Sequence, residues 1–346
     1  MKKRRKSTKK KNKKKNLRVA IVHDFLLYSG GAERVLKDIC ELYPNAPIYT
    51  LLYNEEKMQK DFGNKEIVTS FLQKWPKFLR KRHKFLLPFF GSAVESFDFR
   101  EFDLIISSSG AWSKGIVTRL NTKHIAYIHS PMRYVWDENE YYFRKNVGKK
   151  NNFCIRALLS YLRIWDYQAA QRPDALVVNS LYTQRRIEKY YRRDADVVYP
   201  GVSINEYYAK KIIQREHFLI ISRLSEYKNV ALAIETCNKL QLPLVVVGEG
   251  REYNKLKGLA GPTIEMVGWV SDREKIEYLK KTRAFLFPSE DDFGIVSVEA
   301  MRMGVPVIAL GKGGASEIIT PNVSGELFEE PTVEMMADAV RRFLEK

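Results

Sequence analysis

The sequence predicts an α/β protein built from two units, each a mostly parallel sheet with helices on both faces. Three observations point that way. Short apolar runs of strand length alternate with helical runs. The alternation breaks near Pro200-Gly201 and then starts again. The 346 residues are enough for two domains of ordinary size, each with its own core. Near-continuous apolar strands joined by helices are what a parallel sheet buried on both faces requires.

In chain order, residues 17–23 (LRVAIVH) read as a buried first strand. Gly30 and Gly31 follow, then an amphipathic helix from about 32 to 42. Further strands are expected at 47–52, 103–108, 124–129, 174–179 and 196–199, with helices at 153–171 and 182–191. After the break come a strand at 217–222 (HFLIIS), a helix at 229–240 and strands at 244–248 (LVVVG) and 264–268. A helix at 272–281, a strand at 284–288, a helix at 293–303, a strand at 305–309 and a helix at 333–345 complete the series. This divides the chain into a leader (1–16), a first domain (17–200), a linker (201–214) and a second domain (215–346). Open α/β sheets bind ligands beyond the carboxyl ends of their strands, so the chemistry is expected on loops facing a cleft between the two units.

Composition narrows the classes. Hydrophobic residues make up 45%, as in ordinary globular proteins. No run reaches 18 apolar residues, which argues against a spanning helix. Cys40, Cys154 and Cys237 are odd in number and far apart, so a disulfide framework has no support and a reducing, cytoplasmic compartment fits. The N-terminus lacks the apolar core of a secretory signal.

The net charge is +18, and residues 1–15 hold 11 Lys and Arg with no acid. Self-repulsion should keep this leader disordered. It reads either as a contact for an anionic surface or as a solubilising tail. No zinc spacing or RNA-binding aromatic motif accompanies it, so specific nucleic-acid recognition is not expected. Residues 71–90 (FLQKWPKFLRKRHKFLLPFF) mix six Lys or Arg with ten Phe, Leu or Trp and no acid. That mixture suits a bilayer interface, or a basic loop with its aromatics packed on the first domain. Pro76 and Pro88 should confine any helix there to the stretch between them. Arg144, Lys145, Lys149 and Lys150 would extend the same positive face.

Four segments carry candidate chemistry. In SRLSEYKN (222–229), Arg223 and Lys228 follow a strand, where a basic pair suits a diphosphate or simply faces solvent. In FPSEDDFGIVSVEAMRMG (287–304), Glu290, Asp291 and Asp292 precede a helix opened by Phe293, Gly294 and Ile295, and Glu299 lies further along it. The helix start can hold a phosphate, and Glu299 can accept hydrogen bonds from ribose hydroxyls. The acids also serve as caps. In GKGGASE (311–317), Gly313 and Gly314 permit close backbone approach to a ligand, or a tight turn. In YIHSPMRYVWDE (127–138), His129 ends a strand, and Arg133, Tyr134, Trp136 and Asp137 crowd behind it. His129 can contact a sugar or phosphate and the aromatics can stack on a sugar face, or all of them are framework. GxxxxGK[ST] and the full GxGxxG are absent, which argues against P-loop and dinucleotide enzymes. The five histidines form no close ligand pattern, and no metal is expected.

Together the segments HSPMRYVWD, GGAERV (30–35), SRLSEYKN, FGIVSVEAMRMGVPVIA (293–309) and GKGGASE resemble the retaining glycosyltransferases of family 4 with the GT-B fold, two Rossmann-like domains facing across a cleft. The closest likeness is to the mannosyltransferase-like members that build surface polysaccharide. The resemblance covers about residues 17–328. It implies that the first domain binds the acceptor and the second a nucleotide-sugar donor, GDP-mannose by preference. Arg223 and Lys228 would clamp the diphosphate, Glu299 would hold the ribose, and His129 would contact the donor sugar. Gly30 and Gly31 would lie near the phosphate and acceptor, and Gly313 and Gly314 near the sugar and diphosphate. The reaction would be retaining and metal-independent, with a glycan or polyprenyl-linked sugar as acceptor, on the inner face of a membrane.

Two departures stand out. The family places two Glu residues with seven others between them, and here the first position holds Asp291, with Glu290 one residue early. Either Asp291 fills the role one methylene shorter or Glu290 swings in. The 333–345 helix also closes the sequence where family members continue back onto the first domain, which implies looser domain coupling or a truncated chain. A UDP-sugar donor, and a sugar-nucleotide-binding protein with little catalysis, are the alternative readings.

Overall fold

The computed structural model describes residues 17–81, 83–137, 153–202 and 215–345. The leader, the 141–150 basic stretch and most of the 201–214 linker lie outside the described residues.

The first domain alternates β1 (Val19–Leu26), α1 (Gly31–Leu42), β2 (Ile48–Tyr53), α2 (Glu55–Phe62) and β3 (Ile67–Thr69). The short helices α3 (Lys77–Lys81) and α4 (Phe90–Glu95) follow, then β4 (Leu104–Ser109), β5 (Lys123–Ile128), α5 (Phe153–Ala170), β6 (Ala175–Val178), α6 (Leu181–Tyr191) and β7 (Asp196–Val197). The second domain runs β8 (His217–Ile221), α7 (Val230–Leu240), β9 (Leu244–Val247), α8 (Tyr253–Leu259), β10 (Ile264–Gly268), α9 (Asp272–Lys280) and β11 (Thr282–Phe287). It closes with α10 (Ile295–Arg302), β12 (Val307–Leu310), α11 (Ala315–Ile318), β13 (Gly325–Phe328) and α12 (Val333–Leu344).

The seven-stranded sheet has the order β3-β2-β1-β4-β5-β6-β7 and the six-stranded sheet β10-β9-β8-β11-β12-β13. All pairings named between strands are parallel. These are the two Rossmann-like domains of a GT-B architecture. In both sheets the strand order reverses beside the first strand of the unit, the place where doubly wound sheets open a crevice.

Each sheet is sealed on both faces. Phe218, Ile220, Leu286 and Ile308 point to the layer holding α7 and α12, while Leu219, Phe285, Val307 and Ala309 point to the layer holding Ala300 and Ala315. That alternation is the period-two pattern of a strand with apolar cover on both sides.

β1 extends three residues past the strand end expected at His23. His23 and Asp24 are buried, and both find polar partners on neighbouring segments. A polar residue ends a central strand only when its side chain has nowhere dry and bonded to go. Pro88 likewise does not stop helical structure: it lies inside a 3-10 run, His83–Phe89, directly before α4. Its fixed φ is compatible with helical backbone, and a short 3-10 run loses at most one hydrogen bond to it.

Candidate active site

Arg223 and Lys228 leave the carboxyl end of β8 together. One 3-10 turn, Glu226–Lys228, lifts Lys228, and Asn229 at φ +51° redirects the chain into α7. The Lys228 ammonium pairs with Asp291 on the loop after β11. It lies 5.1 Å from the Tyr227 ring centroid and 6.0 Å from that of Phe287. Burial opposes its charge, but Asp291 and Tyr227 outweigh burial, and its pKa lies above the ordinary value. The carboxylate beside Lys228 is thus that of Asp291. Glu290 turns the other way and accepts a hydrogen bond from the Tyr182 hydroxyl at 2.8 Å. Arg223 is exposed and reaches across the cleft, its charge 5.3 Å over the Tyr28 ring of the first domain.

Glu299 is buried within α10, 6% exposed, yet ionised partners surround it. Arg34, from the GGAERV run on α1, pairs with one oxygen, and Lys275 of α9 lies 3.1 Å from the other. Asp272 stands 3.7 Å from Arg34 and 3.3 Å from Lys275. Burial, and then repulsion from Arg34, push the Lys275 ammonium down to about 8. Glu299 therefore anchors a four-residue charge cluster that spans both domains. A ribose hydroxyl pair would have to share that carboxylate with Arg34 and Lys275.

The sequence leaves the glycines after β12 open to a ligand approach or a tight turn; in the structure their Cα atoms lie against the chain's own backbone. Gly313 has φ +66°, and a Cβ there would stand 2.3 Å from the Asp291 carbonyl oxygen. The Gly314 N–H donates to that same oxygen at 2.8 Å. These two glycines lock the loop after β12 onto the loop that carries Asp291. Phe293 is buried, with its ring 5.9 Å from that of Tyr199. Gly294 turns the chain at φ +86° over the Phe287 ring. Ile295 opens α10 against Gly31, where a Cβ would be 3.4 Å from its Cγ2, so the two domains touch at the GG pair. Gly30 adjoins Glu33.

His129 follows β5, pinned by its N–H to the Ser109 carbonyl at 2.8 Å and its carbonyl to Asn179 at 3.0 Å. Its Nε2 lies 2.7 Å from the Ser108 hydroxyl. Ser108 stands opposite His23 in the β1–β4 register, and His23 Nδ1 is 3.0 Å from the same hydroxyl. Burial, and then the His23 ring, push the His129 imidazole down to about 3, so it is neutral. The aromatics behind it are framework, not a sugar platform. Trp136 donates to Asp166 at 2.8 Å and stacks on Tyr190, and Tyr134 packs on the core of the first domain. Asp137 is taken by Arg186 and Tyr190.

Several pairings at the cleft, some of them between residues already named, were not legible in the sequence. Asp292 binds both Arg133, at 2.7 Å, and Arg186 of the first domain. Glu317 accepts from the backbone N–H groups of Leu181 and Tyr182, capping α6 from the second domain. Asp24 accepts four backbone N–H groups from residues 110–113, at 2.6–3.0 Å. Arg34 and Glu317 lay within quoted motifs, but nothing local marks a side chain for a partner more than a hundred residues away. Among the described residues, no group of three or more His, Cys, Asp or Glu is placed to hold a metal ion.

Two facing parallel-sheet domains with these loops at the cleft define the class: a GT-B glycosyltransferase. Residues 29–206 match the model of Glycosyltransferase Family 4, and residues 207–346 that of Glycosyl transferases group 1. The chain belongs to glycosyltransferase family 4. It is 28% identical over 233 residues to the alpha-1,3/1,6-mannosyltransferase ALG2 of Homo sapiens, covering 57% of this chain and 56% of that protein. A GDP-mannose-dependent monoacylated alpha-(1-6)-phosphatidylinositol monomannoside mannosyltransferase of Corynebacterium glutamicum is 32% identical over 117 residues, 29% of this chain and 31% of that one. The matches span about half or less of the length of these relatives. In fold, Anabaena HepE in complex with UDP and glucose has a TM-score of 0.69 at 18% identity, over 95% of this chain and 90% of that one. Staphylococcus aureus TarM has a TM-score of 0.66 at 13% identity, over 95% and 93%.

Proposed function

We propose that this chain is a retaining, metal-independent glycosyltransferase that moves mannose from GDP-mannose onto a glycan or lipid-linked sugar acceptor at an anionic membrane surface. The observation that carries the reading is the Lys228–Asp291 pair on the loops after β8 and β11, with Arg223 leaving the same strand as Lys228 and Glu299 on the following helix paired to Arg34 of the first domain. Mannosyltransferase relatives support the sugar.

Arg223 and Lys228 hold the donor diphosphate, and their charge offsets the negative charge that builds as the nucleotide leaves. Lys228 exchanges Asp291 for phosphate oxygens, and the freed Asp291 carboxylate is left to orient the sugar. Glu299 holds the ribose. The bond from the sugar C1 to the phosphate oxygen breaks while the acceptor oxygen bonds to C1 from the same face. The acceptor proton passes to the departing diphosphate oxygen. Anomeric configuration is thereby kept, and Lys228, already protonated, needs no proton exchange to serve.

A donor screen with polyprenyl-linked sugars tests this, with GDP-mannose beside UDP-glucose, UDP-galactose and UDP-N-acetylglucosamine. Transfer is expected with GDP-mannose, and Lys228→Ala should lower turnover by about 100-fold or more. Transfer with a UDP-sugar alone would replace the donor. A folded chain that transfers nothing would make it a binding protein, and unchanged turnover in Lys228→Ala would remove the clamp.

A further inference from the structure

Behind His129 lies a chain of buried polar groups that no step above uses. Glu33 Oε1 is 3.4 Å from His23 Nε2, His23 Nδ1 is 3.0 Å from Ser108 Oγ, and Ser108 Oγ is 2.7 Å from His129 Nε2. Glu33, His23 and Ser108 are all buried, whereas His129 is partly buried. The chain links the turn carrying Gly30-Gly31 to the loop after β5.

Proton counting gives this chain a direction. A carboxylate only accepts, so the His23 nitrogen facing Glu33 carries the hydrogen. With His23 taken as a neutral imidazole, which has one N–H, its Nδ1 is then a lone pair and accepts from Ser108. A hydroxyl has a single proton, and Ser108 has given it to His23. Toward His129, Ser108 therefore presents lone pairs, and His129 Nε2 carries the hydrogen. His129 Nδ1 is left as an acceptor, with no hydrogen-bond partner among the described residues.

We propose that Glu33, His23 and Ser108 are positioning residues that lock His129 as its Nε2–H tautomer, so that its Nδ1 accepts a hydrogen bond from a sugar hydroxyl and cannot donate to a phosphate. The tautomer rests on the protein's own contacts and on a neutral His23. The sugar hydroxyl rests on the transferase reading above. The relay ties recognition of the sugar to Glu33, the residue before Arg34, which pairs with Glu299 of the donor domain.

The test begins with the full chain labelled with nitrogen-15 at histidine, its five histidines followed by long-range nitrogen–proton correlation at pH 7. His129 is assigned by its loss in His129→Gln and His23 by its loss in His23→Gln. Both rings should show a protonated Nε2 and a bare Nδ1. His129 carrying its hydrogen on Nδ1, or either ring as imidazolium, would overturn the relay. Ser108→Ala should release the His129 tautomer to a mixture and lower kcat/KM by about tenfold. Its affinity for the free nucleoside diphosphate should stay unchanged. An equal loss for the nucleoside diphosphate would overturn the hydroxyl assignment. Should the unmodified chain transfer no sugar, the transferase reading fails, and the apo spectrum still decides the tautomer.

Discussion

Burial at the cleft is made tolerable residue by residue through paired hydrogen bonds. Asp24 would be costly as an isolated buried carboxylate, yet four backbone amides saturate its two oxygens. In return it shapes the 110–113 turn after β4, beside Ser108. His124, at the amino end of β5 and away from the cleft, shows the opposite arrangement, a buried ring held neutral. Burial pushes it down from 6.5 to about 3, while Ser107 bonds its Nε2 at 2.8 Å. The unfolded chain protonates near 6.5 and the folded one near 3, so the stability contribution is complete above pH 6.5 and is lost as pH falls toward 3. Lowering pH from 7 to 4 should cost about 3 kcal/mol through His124, read from urea unfolding at the two pH values. His124→Gln should shrink that drop, and an undiminished drop would exclude His124 as its source.

Among the elements, loops after strands hold one another as well as facing the cleft. The loop after β12 clamps the loop after β11 through the Gly314 N–H and the bare Cα of Gly313. Gly313→Ala combines a left-handed φ with a Cβ 2.3 Å from a backbone oxygen. Neither contact can be relieved by rotating a side chain. The variant should lose about 2 kcal/mol or more in thermal or urea unfolding, and Asp291 should shift away from Lys228. Wild-type stability together with wild-type turnover would show that the two loops are not locked. α6 depends on a similar crossing: Ser180 caps it locally, accepting from Thr183, and Glu317 of the other domain accepts from its first two N–H groups, those of Leu181 and Tyr182.

On the scale of the whole molecule, several charged contacts join the two domains. Asp292 with Arg133 and Arg186, Glu299 with Arg34, and Glu317 with α6 all cross the cleft. Such polar interfaces suit domains that move relative to each other. A separate surface of the first domain leaves large apolar side chains in water. Phe78 and Phe85 are 67% and 68% exposed and Phe89 is exposed as well, in a stretch of the sequence with Lys74, Lys77 and Arg80. No helix of the described residues is long and apolar enough to cross a membrane. Cationic groups among exposed rings fit an anionic bilayer interface. The chain should therefore sediment with phosphatidylglycerol vesicles and not with phosphatidylcholine vesicles. Phe78→Ser with Phe85→Ser should reduce the bound fraction several-fold with an unchanged unfolding curve. Equal binding to both vesicle types would remove the electrostatic part of this reading.

The sequence by itself determined the two parallel sheets, because alternating apolar runs are local and periodic, and it determined which loops carry chemistry, because motifs at strand ends are contiguous. It marked Lys228, Glu299 and His129, which lie in contiguous segments that resemble the family's motifs. Tertiary structure alone decided their partners. Asp291 and not Glu290 faces Lys228, Arg34 shares Glu299, and Trp136 turns inward to Asp166. Gly313 and Gly314 serve the chain's own packing, and β1 runs on through His23 and Asp24. In each case the partner lies on a distant segment or another strand. A side chain's role is set by what folding brings within hydrogen-bond reach, and periodicity carries no record of that distance.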